Sequence, residues 1–464
     1  MTAIDALLAA ALLAAAGALH AALRLYQVRA QPPPDPEFVR KLFHIGGGAI
    51  GLSLPWLFDT MTPVLALAAV LTAWFAALHL VSRLRRGVGQ VLLGVERRTA
   101  GEFCHLASMA LLFWLSGGDR LLYSVPLLVL ALGDAFAALV GKQYGKLPLR
   151  MARERKSYEG AAAFMLTAYF CVHVPVLLSG ATGRLESLLV AAGVSVMVMM
   201  AEVAAWWGLD NLVIPLWTYM LLKALLPLDA AQLSADLGFL LALALLMRFW
   251  GRRTSLGDDA LFGATLWGYV VWVAGGWHWV LAPLVQLILS ARPATGVPVD
   301  PPQAYRFPVV LANVGGAMFW LLGYRQSAEP ALILPFAACF GANIAIVALV
   351  RRRDAAPGLG WRQAASAGVA RGMLAVAPAA LLLDSLWSGA LLDLAFGLLA
   401  VFAAVALFTS LESRFGWLPA DSARWVRQAL AAAAASPVAL GLHYGAMPDP
   451  AAFGIADLLN LVAR

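Results

Sequence analysis

The chain has 464 residues, of which 62% are hydrophobic and 13% charged, and a formal net charge of +7. A soluble domain carries about a quarter charged residues, so this composition excludes a soluble globular protein and indicates an integral membrane protein. The cations gather in loops between apolar runs, as orientation in a bilayer requires, and no nucleic acid is expected as a partner.

Apolar runs long enough to cross a hydrocarbon core of about 30 Å lie at 4–24, 41–58, 62–82, 103–117, 121–140, 160–180, 186–206, 211–226, 236–250, 260–275, 277–291, 307–323, 330–350, 368–385, 388–411 and 424–443. The expected fold class is all-α, a polytopic membrane protein with about 14–18 transmembrane helices. The run after Asp210 is short enough to be re-entrant. The first run lacks a basic leader and enters a charged loop directly, so a retained helix is expected rather than a signal peptide. Cys104, Cys171 and Cys339 lie within apolar runs without CxxC spacing, which suggests neither a disulfide framework nor a zinc site.

Basic loops alternate with cation-poor ones. Arg24, Arg29, Arg40 and Lys41 separate the first two runs, and Arg83, Arg85, Arg86, Arg97 and Arg98 the third and fourth. Lys142, Lys146, Arg150, Arg153, Arg155 and Lys156 fall between the fifth and sixth. The positive-inside rule then puts the N-terminus outside and the basic loops in the cytoplasm, in a bacterial-type plasma membrane. Loop texture changes near Arg252 to Asp259, which predicts a catalytic membrane domain over 1–250 and a second membrane domain over 251–464.

The stretch Leu130–Gly160 is the most informative. It sets Asp134 at the end of an apolar segment, follows it with six cations, and closes on Glu159. An ionisable group beside a membrane segment is costly enough to be a functional candidate. Magnesium takes hard oxygen ligands, often one or two carboxylates plus substrate phosphates, and Asp134 with Glu159 is the expected pair. Lysine suits phosphate as a flexible point charge, which makes Lys142, Lys146 and Lys156 candidates, although cytoplasmic loops also recruit cations for orientation alone. The GKQYGK spacing is not a P-loop. Asp210, with Glu202 eight residues before it, is either the N-cap of the helix after it or a site residue that binds metal or takes a proton. Arg40, Lys41 and His44 share a helical face by their spacing.

Five ordered motifs carry a resemblance: RKLFHIGGG at Arg40–Gly48, RRTAGEF at Arg97–Phe103, GDAFAALVGKQYGK at Gly133–Lys146, RKSYEG at Arg155–Gly160 and GLDNLVIPL at Gly208–Leu216. Over residues 37–226 the chain resembles the membrane-embedded CTP-dependent polyprenol kinases, which include phytol, farnesol and dolichol kinases. The resemblance implies transfer of the γ-phosphoryl group of CTP to an isoprenoid alcohol, giving a prenyl monophosphate. It implies Mg2+ on Asp134 and Glu159, nucleotide contacts from Arg40, Lys41, His44, Lys142, Lys146 and Lys156, and Asp210 as base. Glu102 falls inside the resemblance without an assigned role. Membrane lipids are the expected surroundings, and the sequence leaves an oligomer open.

The second half is faintly similar to the membrane phytyl-phosphate kinases, but 337–348 reads AACFGANIAIVA, without the acid expected there. A degenerate or structural second domain follows. Two other classes stay open: a cytidylyltransferase forming a CDP-lipid, whose C-terminal signature is missing, and a non-enzymatic lipid transporter.

Overall fold

The computed structural model describes residues 2–94, 100–150, 156–205, 208–251, 254, 256–290, 307–355, 361–383, 387–415 and 422–446. Arg97, Arg98, Arg153, Arg155, Arg252 and Arg253, all noted in the sequence, lie outside these residues.

Sixteen main helices occur among the described residues: α1 (Ala3–Arg29), α2 (Pro36–Leu52), α3 (Met61–Leu80), α4 (Gly101–Ser116), α5 (Arg120–Tyr144), α6 (Tyr158–Ser179), α7 (Arg184–Ala204), α8 (Asp210–Leu225), α9 (Ala230–Trp250), α10 (Asp258–Gly275), α11 (Trp277–Ser290), α12 (Phe307–Ser327), α13 (Ile333–Ala355), α14 (Trp361–Leu383), α15 (Trp387–Phe415) and α16 (Ser422–Gly445). Each apolar run expected from the sequence falls on one of these helices, and the protein is an all-α polytopic membrane protein. Among the described residues ten helices are long and apolar enough to cross a membrane. Three of the six runs that fall short do so for a reason visible at the site. Helices α2, α4 and α8, with 17, 16 and 16 residues, are short and carry the polar residues of the site.

The chain divides into two compact units, Met1–Leu241 and Ala242–Arg464. The division falls inside α9, somewhat before the boundary expected at 252–259.

In the first unit an apolar core of Leu54, Phe58, Val64, Leu67, Met109, Leu112, Tyr123, Leu127 and Tyr219 joins α3, α4, α5 and α8. Buried tyrosine hydroxyls need partners. Tyr123 donates to the Gly51 carbonyl at 2.9 Å and Tyr219 to the Leu115 carbonyl at 2.6 Å. Asp35 caps α2 by accepting from the Glu37 amide at 2.8 Å, and Pro36 opens the helix where its missing N–H costs nothing. Helix α5 contains Pro126, and a single π-helical turn, Val129–Gly133, follows. Such turns reset side-chain direction and concentrate at functional sites; this one ends at Asp134. At Gly48 a β-carbon would stand 2.7 Å from that of Ala131, so α2 and the π-turn touch closely only because residue 48 is glycine.

After α5 the basic loop folds back on itself. The Leu149 amide donates to the Lys156 carbonyl at 2.9 Å and the Tyr158 amide to the Leu147 carbonyl at 3.0 Å. Ser157 then caps α6 by accepting from the Gly160 amide at 3.1 Å.

In the second unit α13 is strongly apolar and almost wholly enclosed, as a helix apolar on all sides must be. At Gly341 a β-carbon would lie 2.8 Å from the Gly372 carbonyl, so small residues set the approach of α13 and α14.

Candidate functional site

Four chain segments, α2, the returning loop, α7 and α8, contribute to a charged cluster around Asp134. From α2, Lys41 donates to Asp134 Oδ2 at 2.6 Å, and His44 Nε2 stands 3.7 Å from the same oxygen. Lys41 is only 4% exposed, and a buried cation needs such an acid beside it. The folded loop brings in Lys156, which pairs with Glu202 Oε1 of α7 at 2.8 Å and also donates to the Glu202 backbone carbonyl. Asp210, at the start of α8, lies within the electrostatic field of Asp134, Lys156, Lys41 and Glu202. The result is a buried cluster of three acids and two lysines. Arg40 sits beside it, held by Glu37 at 2.6 Å and 3.0 Å. Asp210 Oδ1 accepts from the Asn211 amide at 3.1 Å, a contact inside its own helix start.

Glu159 is placed elsewhere. Its carboxylate accepts from the Lys146 amide at 2.9 Å and the Leu147 amide at 3.1 Å and 3.2 Å. Asp134 opens the last eleven residues of α5, and Lys146 lies just beyond their other end, roughly 15 Å away at 1.5 Å rise per residue. A carboxylate held there shares no ion with Asp134, so the expected Asp134–Glu159 pair is not assembled; Glu159 fastens the basic loop. Lys142 is exposed and bonds Asp35, whose carboxyl is held below its usual range chiefly by that hydrogen bond. Lys146 is exposed on the loop.

Among the described residues no three His, Cys, Asp or Glu side chains form a metal-binding group. Magnesium needs fewer protein ligands than that, since phosphates and water complete its octahedron. The Asp134 and Asp210 carboxylates, close enough to repel each other, fit that demand; Asp134 with Glu159 does not.

A cavity of about 480 Å³ adjoins the cluster. Most of its wall is apolar, with Leu12, Leu67, Leu71, Phe75 and Met109 among the lining, while Arg40, His44, Glu102, His105 and Asn211 form a polar part. Four of these hold atoms with no hydrogen-bond partner among the described residues: His44 Nε2, Glu102 Oε2, both His105 ring nitrogens and Asn211 Oδ1. A buried polar group left unpaired costs about 1–3 kcal/mol, so their gathering on one cavity wall marks a place built for a polar ligand group. The Asn211 side-chain amide donates to the Gly101 carbonyl at 3.0 Å, fixing α8 to the start of α4. The rings of His44 and His105 lie 4.8 Å apart. Sequence reasoning gives no role to His105 or Glu202. The first has a usable signal, since Glu102 and His105 are three apart on one helix and therefore share a face; the second becomes meaningful only when the loop returns Lys156 to it.

In the second unit a smaller cavity of about 180 Å³ has Gln286 and Asn313 in its wall. Asn313 Oδ1 accepts from Gln286 at 3.0 Å and from Gln428 at 3.4 Å, and Asn343 Oδ1 accepts from Gln428 at 3.1 Å. Amides here satisfy one another, and Asn343 belongs to this network.

Fold and site together define a polytopic membrane protein with a buried charged cluster beside a largely apolar cavity. The chain is 35% identical over 183 residues to the phytol kinase of Synechocystis sp., a match covering 39% of this chain and 76% of the relative. No family model matches, and no solved structure matches. The chain belongs to the phytol kinase family of polyprenol kinase-like membrane proteins.

Proposed function

We propose that the protein is a membrane lipid kinase that transfers the γ-phosphoryl group of CTP to the hydroxyl of an isoprenoid alcohol and releases the prenyl monophosphate. One observation carries this reading: α2 supplies Lys41 to the Asp134 cluster and Arg40 and His44 to the apolar cavity. Asn211 in the cavity wall and Asp210 in the cluster repeat that junction on α8. An alcohol whose chain fills the cavity would bring its hydroxyl to the edge of the charged cluster.

The cavity wall is apolar enough for an isoprenoid tail, and a concave apolar site with a few convergent polar groups is the usual form of a small-ligand pocket. On the other side, Lys41 and Lys156 supply positive charge for a polyphosphate, with Arg40 of the cavity wall next to them, and phosphoryl transfer needs little beyond positioning and charge stabilisation. Asp134 and Asp210 would hold magnesium, which when bound neutralises phosphate charge. The lysines orient the triphosphate, and the enclosed cluster keeps water from competing with the alcohol. CTP as donor rests on the motif resemblance, as does a cytoplasmic site on the positive-inside pattern.

The test is purified protein given γ-labelled CTP, a mixed isoprenol pool and phosphatidate. Labelled prenyl phosphate is the expected product. Labelled pyrophosphate would indicate a cytidylyltransferase, and absence of turnover would favour lipid transport.

A further inference from the structure

The sequence offers Asp210 as the base that takes the alcohol's proton, but the cavity wall contains a different acid. Glu102 faces the cavity with Oε2 unpartnered among the described residues, while Asp134 and Asp210 are absent from its lining and sit among cations. Asp134 is bonded to Lys41, and Asp210 lies in the field of Asp134 and Glu202 as well as of Lys156 and Lys41. An acid bonded to a lysine, as Asp134 is, is a poor proton acceptor and a good partner for a metal or a cation-bound phosphate, and Asp210 is set aside as the base because it does not line the cavity. Beside Glu102 on the wall, Asn211 Oδ1 and the ring nitrogens of His105 are also unpaired among the described residues. Three residues from two helices, α4 and α8, therefore present unsatisfied polar atoms to whatever polar group enters a mostly apolar space. The Asn211 to Gly101 hydrogen bond at 3.0 Å holds these two helix ends in register.

We propose that Glu102 is a catalytic residue: its carboxylate receives the hydroxyl proton of the isoprenoid alcohol, with His105 and Asn211 completing the pocket that binds the hydroxyl. This inference rests on the kinase reading above. In the step, the alcohol oxygen forms a bond to the γ-phosphorus as its proton passes to Glu102. The bond from that phosphorus to the bridging oxygen breaks, and the nucleoside diphosphate departs with the electron pair. Glu102 later returns the proton to water. The charged cluster thus serves the phosphates and the cavity acid serves the alcohol, so each carboxylate stands in surroundings suited to its task.

The experiment compares the full-length wild type with Glu102→Gln and Glu102→Asp in detergent, measuring kcat, KM for the alcohol and direct binding of a fluorescent isoprenol. General-base removal typically costs about 100-fold or more, so Glu102→Gln should lose about 100-fold in kcat and bind the isoprenol within about threefold of wild type. Glu102→Asp, with its carboxylate withdrawn by one methylene, should retain alcohol binding and lie between the two in kcat. A Glu102→Gln enzyme within about threefold of wild-type kcat would overturn the assignment. Should that variant not fold, wild-type kcat in Glu102→Asp would overturn it equally. If the wild type itself phosphorylates no isoprenol, the kinase reading fails; if it does and the Gln variant matches it, only the role of Glu102 fails.

Discussion

Lys41 and Asp134, ninety-three positions apart in sequence, meet at 2.6 Å with both side chains largely buried, so one ion pair ties the RKLFHIGGG helix to the end of the π-turn. Breaking a buried pair by removing one partner costs about 3–5 kcal/mol, because the other charge stays behind unpaired. Lys41→Met should accordingly lower thermal stability in detergent as well as turnover. A Lys41→Met, Asp134→Leu double variant should recover much of the stability and none of the activity. Unfolding midpoints and kinase rates measured on the same preparations check this.

Glu159 and Lys156 should separate cleanly. Glu159 bonds loop amides and is far from the cluster, so Glu159→Gln should loosen the loop with little change in the unfolding midpoint. Turnover should fall less than about tenfold, well short of the loss of a catalytic group, and the magnesium concentration for half-maximal rate should stay put. Lys156→Ala, which removes a buried partner of Glu202, should lower turnover at least about tenfold further, as removal of a charge-stabilising group does. A magnesium titration shifted by Glu159→Gln would return that acid to the metal.

The two glycines 47 and 48 make opposite predictions from adjacent positions. Gly47 lines the cavity and has open space within 4 Å of where a β-carbon would stand, whereas Gly48 is pressed on Ala131. Gly47→Leu should fold normally and raise KM for long isoprenols more than for short ones. Gly48→Leu should separate α2 from the π-turn and thereby pull Lys41 from Asp134, with loss of stability and turnover for every alcohol. Kinetics over a series of chain lengths tells them apart.

The helices are legible in the sequence because composition leaves a membrane chain few alternatives, and the five motifs mark segments that meet at the site. What they do not convey is which side chains meet. Lys41 and Lys156 carry the same phosphate-binding expectation, yet one pairs with Asp134 and the other with Glu202. Glu159 reads as a ligand in sequence because it follows the cations; the backbone of the returning loop claims its oxygens instead. Glu102 and His105 share a helix face, but their importance depends on a cavity formed by α1, α2, α3 and α4, which no local pattern encodes.

Asn343 stands where an acid is expected in the second half, and its amide is spent on Gln428 and on the Asn313 carbonyl. Asn343→Ala should destabilise by about 1–3 kcal/mol through the unpaired amides it leaves. Its effect on turnover should be far smaller than that of Lys156→Ala. We expect the purified chain to stop at the monophosphate, and mass spectrometry of the products checks this; substantial prenyl diphosphate would make the second unit an active kinase.

The division between a charged cluster for the phosphates and a cavity for the alcohol is tested on Asp134→Asn, comparing phosphoryl transfer from γ-labelled CTP with binding of a fluorescent isoprenol to the same protein. Asparagine keeps the size of the side chain and removes the charge that Lys41, His44 and a metal would share. Turnover should fall by about 100-fold or more, the scale of losing a charge-stabilising group, with isoprenol affinity unchanged because the cavity does not include Asp134. Near-normal transfer by the folded Asp134→Asn protein would contradict this division.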